Sequence, residues 1–408
     1  MASTIAWLDV SVEEQKRARE LISLFIQPES RDELGIGQLR DAFSDALFPG
    51  TSVLQTRARY FLIVPWLYAL GQRRGRSGDR LNEWVDNRER RLIEAMRKAK
   101  DDEDIDGLIG KVAGAAVKTL PSTIYWNGMR EYKILRQDVA GDQLSRNDLR
   151  RVLHEAEELV ARDTGDWHGS IPNPPEGFPD ELRGGFTMRR AEAVWLAERI
   201  ALTTPGSLLA HLVQGSARTI NNSRGPWDDP ACLTTVGTTR DMIKHAELFS
   251  LCMQGASLLY NLLVAERYEG QGLTRIEGKS EEFRERLVNW AHDCDAATVD
   301  LRLWDRRAMW RILMAEGGSR AATATREFVS TWLEAVVDRR FDGAADDIDL
   351  RRIVTSRERR RGSQSRLRND RLLQMWSGAS GAGRLAFRWP NVRSIVRDIH
   401  AGIDRESE

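Results

Sequence analysis

The sequence predicts a mainly α-helical protein, and three observations support this. Two Ser-x-x-Glu capping boxes, Ser11–Glu14 and Ser30–Glu33, each mark the first turn of a helix. Long stretches repeat apolar residues at helical spacing, and the apolar–polar alternation of strands is scarce. We therefore predict helical bundles in the two halves of the chain, followed by a basic helical C-terminal module with one short β strand.

The first 162 residues are predicted to form an N-terminal helical domain. Its clearest helix follows Ser30 and places Leu39, Phe43 and Leu47 on one face. The other elements predicted in this domain are an apolar core segment at 51–70 and helices at 79–100, 107–118 and 145–162.

A segment rich in Pro and Gly, residues 163–187, is predicted to link the two halves. It holds four of the twelve prolines of the chain, and it is too long and too rich in helix breakers for an ordinary turn. A second helical domain is predicted at 188–345. Its helices are predicted at 188–202, 239–268, 281–297, 300–316 and 322–338.

The last predicted unit is the C-terminal module, residues 346–408. The strand in it is predicted from "RLAFRW" (384–389), where apolar and basic residues alternate before a proline. The module is predicted to contain, in order, a helix at 347–361, a helix at 363–376, a loop rich in Gly and Ser at 377–383, this strand, and a final helix after Pro390.

Composition limits the possible environments. The 408 residues are 41% hydrophobic and 30% charged with a formal net charge of zero, which is typical of a folded, soluble protein. The cysteines, Cys232, Cys252 and Cys294, are far apart and indicate neither a disulfide framework nor a zinc site. The longest apolar run has 11 residues, about half of the ~20 that cross a bilayer. We expect a cytoplasmic protein with no membrane association.

The sequence predicts no catalytic residue, cofactor or metal site. The segment "GLTRIEGKS" (272–280) approaches a phosphate-binding loop, but five residues instead of four separate its glycines and a helical pattern precedes it. The histidines are scattered, and only "HAE" (245–247) and "HDCD" (292–295) group possible metal ligands. The tripeptides "EYK" and "EGK" match a nuclease signature only trivially. No enzyme activity can be named on this basis.

The strongest charge feature is an arginine block near the C-terminus. Between Arg351 and Arg397 lie 13 arginines and two acids, Glu358 and Asp370, a local charge of 13 − 2 = +11. Guanidinium groups bind phosphates through paired hydrogen bonds. Alternatively, the block docks on acidic segments of its own chain, such as 101–106 and 342–349, or on a partner protein. The candidate nucleic-acid-binding residues are Arg352, Arg359, Arg360, Arg361, Arg366, Arg368, Arg371 and Arg388.

Several long segments carry a family resemblance. They are "STIAWLDVS" at the start, "FPGTSVLQTRARYFLIVPWLY", "PSTIYWNG" (121–128) and "GSQSRLRNDRLLQMWSGASGAGRLAFRWPNVRSIVRDI". Together they resemble an uncharacterised bacterial domain-of-unknown-function family over nearly the whole chain. The resemblance implies genes placed beside those of helicases and phospholipase D-like proteins, a setting typical of antiphage defence operons. It implies no catalytic residue.

Three functional hypotheses follow. The first is a non-enzymatic accessory protein whose arginine block binds DNA, RNA or a nucleic-acid-processing partner such as a helicase or a phospholipase D-like protein. The second is a divergent nuclease with acids dispersed through the fold. The third is a purely structural, partner-binding subunit, for which the arginine block is mostly occluded.

Overall fold

A computed structural model describes residues 32–98, 105–136, 166–338 and 341–405. These residues contain fifteen α-helices and a single pair of two-residue strands. The prediction of a mainly α protein is confirmed.

The described part of the N-terminal half contains four helices. The predicted face of Leu39, Phe43 and Leu47 is buried in the first of them. The apolar segment predicted as core becomes helical only from Tyr60 onward. The helices are α1 (Gly37–Leu47), α2 (Tyr60–Arg73), α3 (Gly78–Lys98) and α4 (Pro121–Glu131).

The helix predicted at 107–118 is wrong. The chain there makes turns and one short 3-10 turn, Gly114–Ala116. Gly107, Gly110 and Gly114 have φ angles of 75°, 85° and 56°, a left-handed conformation that an α-helix does not contain. The apolar spacing in this segment therefore supports packed turns.

Two short strands, β1 (Leu135–Arg136) and β2 (Asp166–Trp167), pair in antiparallel fashion. Leu135 lies opposite Trp167 in this pair. The helix predicted at 145–162 lies outside the described residues, between these strands.

The second half follows the predicted helices closely, with one break. The segment 300–316 forms two helices because the Asp305 side chain accepts a 2.9 Å hydrogen bond from the amide of Ala308 and starts a new helix. The helices are α5 (Arg190–Thr203), α6 (Leu208–Gln214), α7 (Pro230–Leu233), α8 (Gly237–Gly270), α9 (Lys279–Ala296), α10 (Thr298–Leu303), α11 (Arg306–Ala315) and α12 (Thr323–Val337).

Helix α8 is the centre of this half. It is 34 residues long, packs against α9 and also contacts α1 and α12. Two stacked indoles, Trp290 and Trp332, donate 2.8 Å hydrogen bonds to consecutive carbonyls of α8, at Leu251 and Cys252. An 18-residue window of α8 has a mean hydropathy of 1.5, which is apolar enough to cross a membrane, but 83% of it is buried inside the protein.

Gly255 lets α9 approach α8. A Cβ atom at this position would overlap the indole of Trp290, which is 1% exposed. We expect Gly255→Ala to lower the free energy of unfolding by about 1–3 kcal/mol, as overpacking does in other cores. Urea unfolding measures the change. Gly270→Ala in the same helix is the control, because a Cβ there meets no atom within 4 Å; equal stability of the two variants would contradict the prediction.

The C-terminal segment contains α13 (Ile348–Arg359), α14 (Asp370–Gln374) and α15 (Trp389–Ile403). The second predicted helix, 363–376, is thus limited to five residues of α14 and a 3-10 turn at Gly362–Gln364.

The strand predicted at 384–389 is wrong. Phe387 and Arg388 have left-handed φ angles of 48° and 65°, and Trp389 already begins α15. Pro390 occupies the first turn of that helix, where its fixed φ and missing amide proton are favourable. The proline therefore begins a helix instead of ending a strand.

The C-terminal segment packs against both preceding halves of the chain. Helix α15 contacts α5 and α6, and α1 contacts α8 and α11. Arg57, just before α2, forms a paired ion bridge to Asp398 on α15, with Nε–Oδ2 at 2.9 Å and Nη2–Oδ1 at 2.9 Å. The predicted division into 1–162, 163–187, 188–345 and 346–408 stays a prediction; the buried apolar residues of the described segments form one cluster.

Candidate functional site

The arginine block begins on helix α13. Asp347 caps its first turn by accepting a 2.8 Å hydrogen bond from the amide of Leu350. Leu350, Val354 and Glu358 are buried on one side of the helix. The arginines of α13 therefore lie on its other faces.

Glu358 fixes the chain that follows α13. This carboxylate is fully buried and accepts hydrogen bonds from the Ser365 hydroxyl and from the backbone amides of Arg366 and Leu367. Internal hydrogen bonds thus stabilise its negative charge, and the carboxylate does not neutralise arginines on the surface.

Two of the predicted phosphate contacts converge instead on one carboxylate, Glu33. Arg366 is 3% exposed, and its Nη1 atom contacts the Glu33 carboxylate and donates a 3.0 Å hydrogen bond to the Tyr260 hydroxyl. Burial raises the pKa of that hydroxyl well above its ordinary value, so it stays protonated. Arg361, whose side chain is 29% exposed, bonds the carboxylate and the backbone carbonyl of Glu33. A phosphate on the surface has no access to Arg366.

Two further candidates also have partners within the chain. Arg388 donates to Asp45 at 2.8 Å and to the carbonyl of Thr51 at 2.7 Å, and its side chain is 13% exposed. Arg352 is exposed but pairs with Asp349 one turn earlier on α13. The acidic segment 342–349, which was predicted as a docking surface for the arginine block, therefore binds Arg352 through Asp349. Most of the other predicted acidic segment, 101–106, lies outside the described residues.

Four of the eight candidates remain exposed, and their side chains form no hydrogen bond or ion pair with a described residue. We call Arg359, Arg360, Arg368 and Arg371 the arginine surface. The first two lie at the C-terminal end of α13, where the helix dipole by itself favours cations. The other two flank Asn369, whose side chain caps α14 by accepting from the amides of Arg371 and Leu372.

Two arginines that support this surface had no recognisable signal in the sequence. Arg267 on α8 pairs with Asp370 at 2.7 Å and donates to the carbonyl of Leu367. Arg275, which is exposed, donates to the carbonyls of Gln374 and Trp376 at the end of α14. Both lie about one hundred positions earlier in the chain. Since Arg267 binds Asp370 and Glu358 is buried, neither acid of the arginine block is left to neutralise the arginine surface.

The other chemical motifs resolve into structural contacts. The near-match to a phosphate loop precedes α9, and the amide and hydroxyl of Ser280 in its first turn both bind the Glu269 carboxylate. The three cysteines are free and buried, and burial raises the pKa of Cys252 to about 12. Within the described residues, no group of three or more His, Cys, Asp or Glu side chains is placed to hold a metal ion.

Comparison with known families gives one match. Residues 2–401 match a family described as "Family of unknown function (DUF6361)". Searches of curated proteins and of solved structures gave no match.

Proposed function

The chain belongs to the DUF6361 family, whose function is unknown, and we propose that it is a non-enzymatic accessory protein that binds nucleic acid through the arginine surface. The observation that carries the proposal is the contrast inside the arginine block. Arg361, Arg366 and Arg388 bind acids of the chain itself, whereas Arg359, Arg360, Arg368 and Arg371 are exposed without a partner among the described residues.

The anchored arginines support the proposal indirectly. Arg366 and Glu358 fix the turn between α13 and α14 from inside, so the four exposed guanidinium groups project from an ordered base. Binding to an ordered surface costs less conformational entropy than ordering a flexible one. Guanidinium groups match the geometry of phosphate oxygens, and exposed backbone phosphates are present in both DNA and RNA.

The partner protein and the biological setting belong to the same proposal. A helicase or a phospholipase D-like protein would bring the nucleic acid on which this accessory protein acts, and antiphage defence is the setting implied by the sequence resemblance. That resemblance and the arginine surface support this part of the proposal.

A second candidate function, docking on an acidic partner protein, is favoured by a different observation. Five arginines of the block already bind carboxylates of this chain: Arg351, Arg352, Arg361, Arg366 and Arg388. The same chemistry would let the arginine surface bind carboxylates of another protein.

Binding to labelled DNA and RNA over a range of salt concentrations tests the proposal. Contacts to about four phosphates predict that log affinity falls with log salt at a slope of roughly −3 to −4 on duplex DNA. We expect Arg359→Glu/Arg360→Glu to reduce affinity at least about tenfold at low salt and to flatten this slope by about 2.

The matched control is Arg302→Glu/Arg307→Glu, which makes the same charge change at exposed arginines on α10 and α11. It is expected to bind nearly as well as the wild type. If both double variants lose affinity equally, binding is a general effect of charge. If the wild type does not bind at low salt, nucleic-acid binding is excluded and docking on a protein becomes the leading function.

A further inference from the structure

A second basic cluster lies far from the arginine block in the sequence, at the turn between α2 and α3. Helix α2 ends in a Schellman cap: Gly75 has a φ of 70°, its amide donates to the carbonyl of Gln72, and the amide of Arg76 donates to the carbonyl of Gly71. The turn is therefore held by its own hydrogen bonds. Its conformation fixes where the arginine side chains of "GQRRGRSGDR" (71–80) project.

Two of these side chains, together with one from α3, surround a single indole. The guanidinium carbons of Arg74, Arg76 and Arg88 lie 5.5, 5.8 and 5.4 Å from the ring centroid of Trp84 on α3. The indole packs closely against Gly71, where an added Cβ atom would lie 3.0 Å from its Cε3 atom. Trp84 remains partly exposed. We call this group, with Arg73 and Arg80, the Trp84 cluster.

The charge of the Trp84 cluster is largely uncompensated. Arg73, Arg74, Arg76 and Arg80 are exposed and form no ion pair with a described residue. Within the described segments, Arg88 alone among the arginines of the cluster has a carboxylate partner, Asp180 at 2.6 Å. Residues 71–80 contain four arginines and one acid, a local charge of 4 − 1 = +3. Three guanidinium groups around one ring repel one another, and a bound anion would relieve that repulsion.

The combination of flat groups and positive charge selects a ligand class. The carboxylates of an acidic peptide would bind the arginines, but they would make no stacking contact with the guanidinium–indole group. A base can stack on that group, as bases stack on aromatic side chains in proteins that bind single strands. In a duplex the bases are already stacked on each other. We propose that the Trp84 cluster binds single-stranded nucleic acid, with phosphates contacted by the exposed arginines and a base stacked against the arginine-covered indole.

Fluorescence anisotropy with a labelled oligo-dT and with a duplex of equal length tests this. The variant Arg74→Gln/Arg76→Gln removes two exposed side chains of the cluster. We expect it to bind oligo-dT about tenfold more weakly, as the loss of one stacked base and two phosphate contacts implies, and to lose less affinity for the duplex. The control, Arg302→Gln/Arg307→Gln, makes the same charge change on α10 and α11 and should change either affinity less than about twofold.

Photo-cross-linking separates this proposal from the one for the arginine surface. An oligo-dT that contains 4-thiothymine is irradiated with the full-length protein, and the cross-linked peptides are mapped. We expect cross-links within residues 71–84 that persist in Arg359→Glu/Arg360→Glu, even if that variant shows that the arginine surface plays no part. Cross-links confined to other segments, equal losses on single strands and duplex, or equally effective competition by polyglutamate would each overturn the proposal.

Discussion

Replacing Glu192 with Gln is expected to lower the free energy of unfolding by about 3–5 kcal/mol, the usual cost of removing one partner from a buried ion pair. Arg59 and Glu192 are 1% and 0% exposed, and two 3.1 Å hydrogen bonds join the guanidinium to the carboxylate. Burial lowers the pKa of the Arg59 guanidinium. Without the carboxylate, its charge would stay inside the protein with only neutral acceptors, namely the backbone carbonyls of Arg183 and Gly185 and the amide oxygen that replaces the carboxylate.

The control for this pair is an ion pair on the surface. Arg218 and Asp404 are joined at 2.7 Å, but their side chains are 43% and 57% exposed. Since water replaces the lost partner there, Asp404→Asn should change stability far less than Glu192→Gln. Urea unfolding monitored by circular dichroism measures both. Similar losses for the two variants would show that burial does not govern the strength of these pairs.

Arg366→Gln is expected to cause a loss of comparable size, about 3–5 kcal/mol. The Arg366 and Glu33 side chains are 4% and 5% exposed, so the variant leaves a buried carboxylate that has lost its buried cation. The Tyr260 hydroxyl also loses its donor.

The matched variant is Arg361→Gln, because Arg361 binds the same carboxylate from a half-buried position. We expect it to cost about 1 kcal/mol or less, as partly exposed pairs do. The same unfolding experiment measures both variants. The explanation fails if Arg361→Gln destabilises the protein as much as Arg366→Gln, since the depth of burial would then have no effect.

The helices were predictable wherever a local signal was strong. Helices α8, α9 and α12 lie within a few residues of their predicted ranges because long apolar repeats act within a few turns. The failures have local explanations. Three glycines with positive φ convert residues 107–118 into turns, and Pro390 initiates a helix where it was predicted to end a strand. Six alternating residues are too few to specify a strand without a neighbouring one.

The candidate site was less predictable, because charge is visible in a sequence and pairing is not. The block of thirteen arginines was evident. Its acceptors Glu33 and Asp45 lie 333 and 343 positions from Arg366 and Arg388, and no local pattern connects them. The exposure of the arginine surface likewise depends on the tertiary fold, which no local pattern reveals. The Trp84 cluster was overlooked because its arginines are interspersed with glycines and acids.

The distance between paired positions also has a consequence during synthesis. Asp45 binds Arg388, and Arg57 binds Asp398, across 343 and 341 positions. At roughly 5–20 residues per second, a ribosome needs about 17–69 s to add the residues between the members of either pair. Helix α15 begins 389 − 214 = 175 positions after α6 ends, so the apolar face that it covers on α5 and α6 is exposed on the nascent chain for about 9–35 s. Chaperones that hold nascent chains would therefore matter more for this protein than for one whose first half closes its own core.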